Sequence, residues 1–259
     1  MNRLPDKWEK IGNVVTIKLP DELKQHQEII GQAYGETLHC TTVLNDKGGI
    51  SGVYREPVVD VISGDKITET IHKENGIRYK MDPQKIMFSS GNMAERRRMA
   101  TISNTREIVV DLFAGIGYFT LPIAVYSKPK KIFACEINPI AYRYLCANIV
   151  LNHVTDIVEP LWGDNRKTAP KDCADRVILG YLQEPQLFLK VVLECLKNQR
   201  GILHYHEVIP FESIPEIPLK RIETVTKKYH RSVELLKINK IKSYAPRIHH
   251  VVLDVRIAE

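Results

Sequence analysis

From about Arg106 onward the chain repeats one pattern, a short apolar run, a turn and an amphipathic stretch, and this rhythm admits few folds. The run Glu107-Ile108-Val109-Val110-Asp111-Leu112 precedes a helical 118–126, and residues 131–136 precede a helix over 139–151. Residues 157–161 lead to Asp164-Asn165, residues 176–179 lead to a helix over 186–197, and residues 201–206 close the series. Short buried strands alternating with helices of about 10–15 residues imply right-handed crossovers between parallel neighbours. A doubly wound α/β fold with a mainly parallel sheet is therefore predicted. The terminal 251–256 alternates apolar and polar side chains, as an edge strand would.

The first hundred residues follow a different rhythm. Strand-like 14–17, 41–44, 58–62, 68–72 and 77–81 accompany one helical 21–34, and Asn45-Asp46-Lys47-Gly48-Gly49 and Glu74-Asn75-Gly76 supply hairpin turn chemistry. The expectation is a small α+β domain with a linker motif over 1–104, at the very start of the chain, followed by a Rossmann-like domain over 105–259. The 259 residues, 44% hydrophobic and 26% charged, can build sizeable cores without a metal or disulfide staple. Cys40, Cys135, Cys146, Cys173 and Cys195 form no C-x-x-C pair, and an odd, scattered set fits a reduced, cytoplasmic chain with no metal site. Asp111, Gly115, Gly117 and Pro122 interrupt the most apolar stretch, so no membrane span is expected.

Charge is unevenly distributed. Met1 to Glu107 balances 16 Lys plus Arg against 15 Asp plus Glu, whereas Leu219 to His250 sets nine bases against Glu223 and Glu234. Such a concentration suits a phosphate backbone, or forms a solvated face.

The turn after the first sheet strand, Ala114-Gly115-Ile116-Gly117, carries glycines that let the backbone approach a ligand. Asp111 ends that strand, Glu136 ends the next, where a carboxylate can accept both hydroxyls of a ribose, and Asp164-Asn165 after the third can read an adenine edge. Polar groups at the carboxyl ends of successive parallel strands converge on one crevice. A nicotinamide dinucleotide fold wants a third glycine where Thr120 stands, so an adenosine ligand of another kind is expected. His204 and His206, at the end of the fifth strand, are candidate bases or packed strand histidines. Tyr118 is a candidate stacking surface for an RNA base, and Phe119 a core residue.

Asp111-Leu112-Phe113-Ala114-Gly115-Ile116-Gly117 resembles the first motif of class I S-adenosylmethionine-dependent transferases. Together with Phe88-Ser89-Ser90-Gly91-Asn92-Met93-Ala94-Glu95-Arg96-Arg97-Arg98, Ala134-Cys135-Glu136-Ile137-Asn138-Pro139, Gly163-Asp164-Asn165-Arg166 and Asp175-Arg176-Val177-Ile178-Leu179-Gly180, it resembles the tRNA wybutosine-synthesising aminocarboxypropyl transferases. These motifs are similar also to those of the related tRNA guanosine N1-methyltransferases that act 3′ of the anticodon. Thr70 to Tyr79 extends the match, so the resemblance covers about residues 1–210. Three departures favour the first subfamily: Leu179-Gly180-Tyr181-Leu182 in place of Asn-Leu-Pro, Ser89-Ser90-Gly91-Asn92 in place of Ser-Pro-Arg, and Glu136 in place of Asp.

The resemblance implies transfer of the 3-amino-3-carboxypropyl group of S-adenosylmethionine to 4-demethylwyosine beside the anticodon of tRNA-Phe. It implies cofactor contacts from Ser89, Arg96, Asp111, Gly115, Gly117, Glu136, Asp164 and Asn165, with Arg96 suited to the methionine carboxylate. It singles out no catalytic residue. The expected partner is tRNA, with no membrane and no metal, and the expected state is a monomer. The sulfonium activates each carbon bonded to it, so the carbon in line with the nucleophile selects the reaction.

Overall fold

A computed structural model describes residues 4–52 and 54–259 and divides into two compact units, Met1–Ser90 and Gly91–Glu259. In the first unit β1 (Trp8–Ile11) and β2 (Val14–Ile17) form an antiparallel pair, and α1 (Gln27–Leu38) carries the chain over to β3 (Thr42–Ser51), which lies parallel to β2. β4 (Glu56–Gly64) completes the sheet antiparallel to β3. Val15, Ile17, Val43 and Ile62 close a small core with Ile30 of α1. The hairpin of β5 (Thr70–Glu74) and β6 (Ile77–Met81) turns at Asn75-Gly76, both at positive φ.

The second unit begins with α2 (Met93–Met99) and then follows the predicted alternation: β7 (Ile108–Asp111), α3 (Thr120–Pro122), β8 (Lys131–Glu136), α4 (Pro139–Leu151), β9 (Val158–Trp162), α5 (Asn165–Thr168), β10 (Arg176–Leu179) and α6 (Leu189–Cys195). It ends with β11 (Gly201–Pro210), α7 (Glu216–Thr226), β12 (Ser232–Ala245) and β13 (Ile248–Ala258). The strand order is β12-β13-β11-β10-β7-β8-β9, parallel from β11 to β9. The four residues of β10 are all buried, as an interior parallel strand requires.

Two expectations need correction. The 251–256 segment belongs to an interior strand, because β13 pairs with β11 on one side and β12 on the other. β12, read in the sequence only as a basic stretch, is the edge. The helix foreseen over 118–126 is one short turn, Thr120–Pro122, continued by a π-helical Ile123–Ser127.

The sheet faces differ in chemistry. One is apolar: Val110, Val177, Leu203 and Leu253 meet Val192 of α6 and Ile222 of α7. The other carries His204, His206, His250 and Asp254, all under 8% exposed, where Phe119 and the side chains of α2 reach them. Among the described residues no helix is long and apolar enough to cross a membrane.

Candidate active site

β7 delivers Asp111 to the turn that opens the crevice. Its Oδ1 accepts the Phe113 N–H at 3.3 Å and its Oδ2 the Thr120 hydroxyl at 2.8 Å. Burial, opposed by these bonds, pushes its carboxyl up to about 6. The sequence reading groups Asp111 with the cofactor contacts. The structure gives it no exposed surface and two partners inside the protein, so its effect on a ligand passes through the turn it shapes.

That turn needs its glycines. Gly115 and Gly117 hold φ of +58° and +99°, and a Cβ on Gly117 would lie 2.7 Å from Leu121 Cγ. The Tyr118 ring lies against Gly115, while Phe119 is core at 8% exposure, its ring 5.0 Å from His206 and beside Gly180.

Glu136 joins the ends of β7 and β8. Its Oε2 accepts the Gly115 N–H and its Oε1 the Asn138 N–H, each at 2.7 Å. Burial raises its pKa while backbone N–H groups oppose the rise. A carboxylate offers about four acceptor positions, so capacity remains on both oxygens for a ligand's hydroxyls. Asn138 then caps α4 by accepting from Ile140 and Ala141, with Pro139 at the first helical position.

The third strand end is tied in by Asn165, whose Nδ2 donates to the Leu112 carbonyl at 2.8 Å. Its Oδ1 is buried and has no partner within the protein, an acceptor suited to a ligand amino group. Asp164 is differently engaged: it caps α5 and accepts from Arg166 Nε at 2.9 Å and Nη2 at 2.5 Å. Of the two linker residues, Ser89 is half-buried in the first unit, and Arg96 is 2% exposed in α2 of the second. The structure thus joins Gly115, Glu136 and Asn165 around the glycine turn, with Asp111 beneath it. Bare positive-φ backbone, a braced carboxylate and an orphaned amide oxygen fit an adenosine ligand.

Sequence reasoning missed a charge network behind this site. Arg98 makes two 2.7 Å bonds to Glu95 and reaches Asp254 at 2.8 Å. Asp254 binds His204 Nδ1 at 2.6 Å and Asn239 at 3.0 Å, and His204 Nε2 faces Arg176 at 2.8 Å. Arg176 pairs through two bonds with Glu107. Burial lowers the His204 pKa, and only the neutral ring with its proton on Nδ1 satisfies both neighbours. His206, 1% exposed, contacts His250 at 3.2 Å, so both strand histidines are packed residues rather than crevice bases.

A pH test follows for His250, whose pKa burial lowers from 6.5 to about 4. A depressed histidine contributes stability that is whole above 6.5 and is lost as pH falls toward 4. Wild type should therefore lose up to about 3 kcal/mol relative to His250→Gln across that window in urea unfolding series. A pH-independent difference between the two proteins would contradict a neutral buried ring.

Several of the nine bases of 219–250 are engaged within the protein. Arg221 pairs with Glu207, Lys227 with Glu223 and Arg247 with Glu212, and Lys240 lies 4.2 Å from the Phe211 ring centre. Of the rest, Lys220 lies in α7, Lys237 and Lys242 in β12, and Lys228 and Arg231 between the two elements.

Comparison with known proteins agrees with this geometry. Residues 70–236 match the TRM5/TYW2 methyltransferase domain and residues 1–68 the TYW2 N-terminal domain. The chain is 45% identical to the tRNA(Phe) (4-demethylwyosine(37)-C(7)) aminocarboxypropyltransferase of Methanocaldococcus jannaschii, over 96% of this chain and 97% of that one. It is 38% identical to the tRNA (guanine(37)-N(1))-methyltransferase Trm5b of Pyrococcus abyssi, over 98% of this chain and 76% of that one. The crystal structure of P. horikoshii TYW2 in complex with MeSAdo superposes with a TM-score of 0.89 at 40% identity, covering 98% of this chain and 92% of that one. Sequence, fold and the braced crevice agree, and the chain belongs to the TRM5/TYW2 family.

Proposed function

We propose that this protein transfers the 3-amino-3-carboxypropyl group of S-adenosylmethionine to 4-demethylwyosine beside the anticodon of tRNA-Phe, releasing methylthioadenosine. The observation that carries the choice within the family is at the end of β10. Gly180 stands there, and a Cβ on it would already touch the Phe119 ring at 3.4 Å. The methyltransferases resembled by this sequence carry at this position the asparagine of Asn-Leu-Pro. Similarity to an aminocarboxypropyltransferase over nearly its whole length, and to a structure holding MeSAdo, supports the same choice.

In this reading Glu136 accepts the ribose hydroxyls, Asn165 Oδ1 and the Asp164 turn address the adenine edge, and Gly115 and Gly117 leave room for the rest of the ligand. Arg96 holds the methionine arm, its guanidinium opposite the carboxylate. The bound sulfonium supplies an activated γ-carbon and a neutral thioether leaving group. The chain's own task is orientation: presenting that carbon instead of the methyl in line with the base. A cytoplasmic enzyme acting on tRNA as a monomer is part of the proposal.

S-adenosylmethionine labelled separately in its carboxyl and methyl groups, incubated with protein and tRNA bearing 4-demethylwyosine, tests this directly. Carboxyl label is expected in the tRNA, with methylthioadenosine released. Methyl label in tRNA with S-adenosylhomocysteine released would assign the protein to the methyltransferase branch.

A further inference from the structure

The first unit has an open cleft of about 950 Å³, lined by Lys10, Asn13, Glu69, His72, Lys73 and Lys80 among others, and the reading above gives it no role. Its walls are the β1–β2 turn and the β5–β6 hairpin. They are fastened to each other, since the Asn13 N–H donates to Thr70 Oγ1 at 3.2 Å and the Gly12 N–H to His72 Nδ1 at 3.3 Å. The second bond places the ring proton of neutral His72 on Nε2, as a donor.

Strand register decides what the hairpin presents. Ile71 opposes Lys80 and Lys73 opposes Arg78, so these four share one face, while Thr70, Glu74, Ile77, Tyr79 and Met81 are buried on the other. Lys10 is fixed on the cleft by a 2.5 Å bond to the Leu38 carbonyl. Exposed Lys73 has no acidic partner among the described residues. The one acid in the lining, Glu69, pairs with Lys80 at 2.8 Å. This asymmetry is local, because Met1 to Glu107 as a whole balances 16 bases against 15 acids.

We propose that this cleft holds the sugar-phosphate backbone of the RNA substrate, with Lys10, Lys73 and Lys80 opposite phosphates and Ile71 against a ribose or base face. The proposal rests on the tRNA reading above. An open cleft with cations along it suits an extended polyanion lying in it. Ile71, 45% exposed among those cations, supplies apolar surface that a bare phosphate would not use.

The test compares full-length wild type, K73Q/K80Q and the charge-matched control K24Q/K47Q from the same unit. Filter binding of tRNA across a salt series is expected to give K73Q/K80Q a log–log slope shallower by about 1.5, from two contacts at roughly 0.7–0.9 each. Its Kd for tRNA at low salt should rise about tenfold, while kcat at saturating tRNA, S-adenosylmethionine affinity and the control stay within twofold of wild type. An unchanged slope, or an equal change in the control, would overturn the proposal. So would millimolar inorganic phosphate erasing the difference between wild type and K73Q/K80Q at fixed ionic strength, which would assign the cleft to a small anion. Binding is read here without transfer, so failure of the aminocarboxypropyl assignment would appear in the label experiment and leave this comparison intact.

Discussion

Replacing Glu136 by alanine should weaken S-adenosylmethionine binding by about 10²- to 10³-fold in isothermal titration, the largest single-residue effect expected in the crevice. The carboxylate does two things at once. It fixes the glycine turn and the start of α4 by accepting the Gly115 and Asn138 N–H groups at 2.7 Å, and it offers its remaining acceptor capacity to the ribose. Bonds to a charged group contribute about 1.5–3 kcal/mol each, so loss of two ligand bonds, taken at the lower end of that range, accounts for roughly 3–4 kcal/mol. Glu136→Gln should be milder, near tenfold, because the amide keeps one acceptor while its NH₂ meets a backbone donor. Its raised pKa adds a sign: a group that works ionised loses its function as pH falls through that pKa, so affinity should decline on the acid side. Alanine binding within threefold of wild type would remove Glu136 from the site.

How much of this the sequence showed depends on the range of each interaction. The parallel order of β7 to β11 was legible because apolar runs and helices alternate at a period that only crossovers satisfy. Glu136 and Asn165 were legible because strand ends in such a sheet converge, so three local patterns predict one place. The edge was misjudged for a physical reason: alternation along 251–256 reports two unlike faces, not the absence of a neighbour, and here one face is apolar while the other holds Asp254 and His250. β12 was hidden because its lysines alternate with apolar residues that are only half-buried, as an edge permits. Motif position gives no depth, so only packing shows that Asp111 is buried with the Thr120 hydroxyl on one of its oxygens. The network of Arg98, Asp254 and His204 left no local trace, since its members stand 50 to 156 residues apart.

That network should be the most sensitive structural element of the second unit. Asp254 is 7% exposed and is the common acceptor for Arg98, His204 and Asn239. Burial alone would raise its pKa, yet the bond and charge of its partners hold it below the usual value, so the ionised form is the one the fold stabilises. Alanine at 254 takes away one of the two carboxylates that hold Arg98 and leaves an imidazole N–H and an amide without their acceptor, and removing one partner from a buried ionic cluster typically costs about 3–5 kcal/mol. Asp254→Ala is therefore expected to lower the melting temperature of the protein by roughly 6–15 °C in calorimetry. The cost belongs to the donors left without an acceptor, since Glu95 still neutralises Arg98, and the coupling between Arg98 and Asp254 is measurable. Arg98→Met combined with Asp254→Leu removes both charges and should be less destabilising than the two single changes added together, by about 1 kcal/mol or more. Strict additivity would mean that the two residues stabilise the fold independently and that α2 is not anchored to the sheet through this pair.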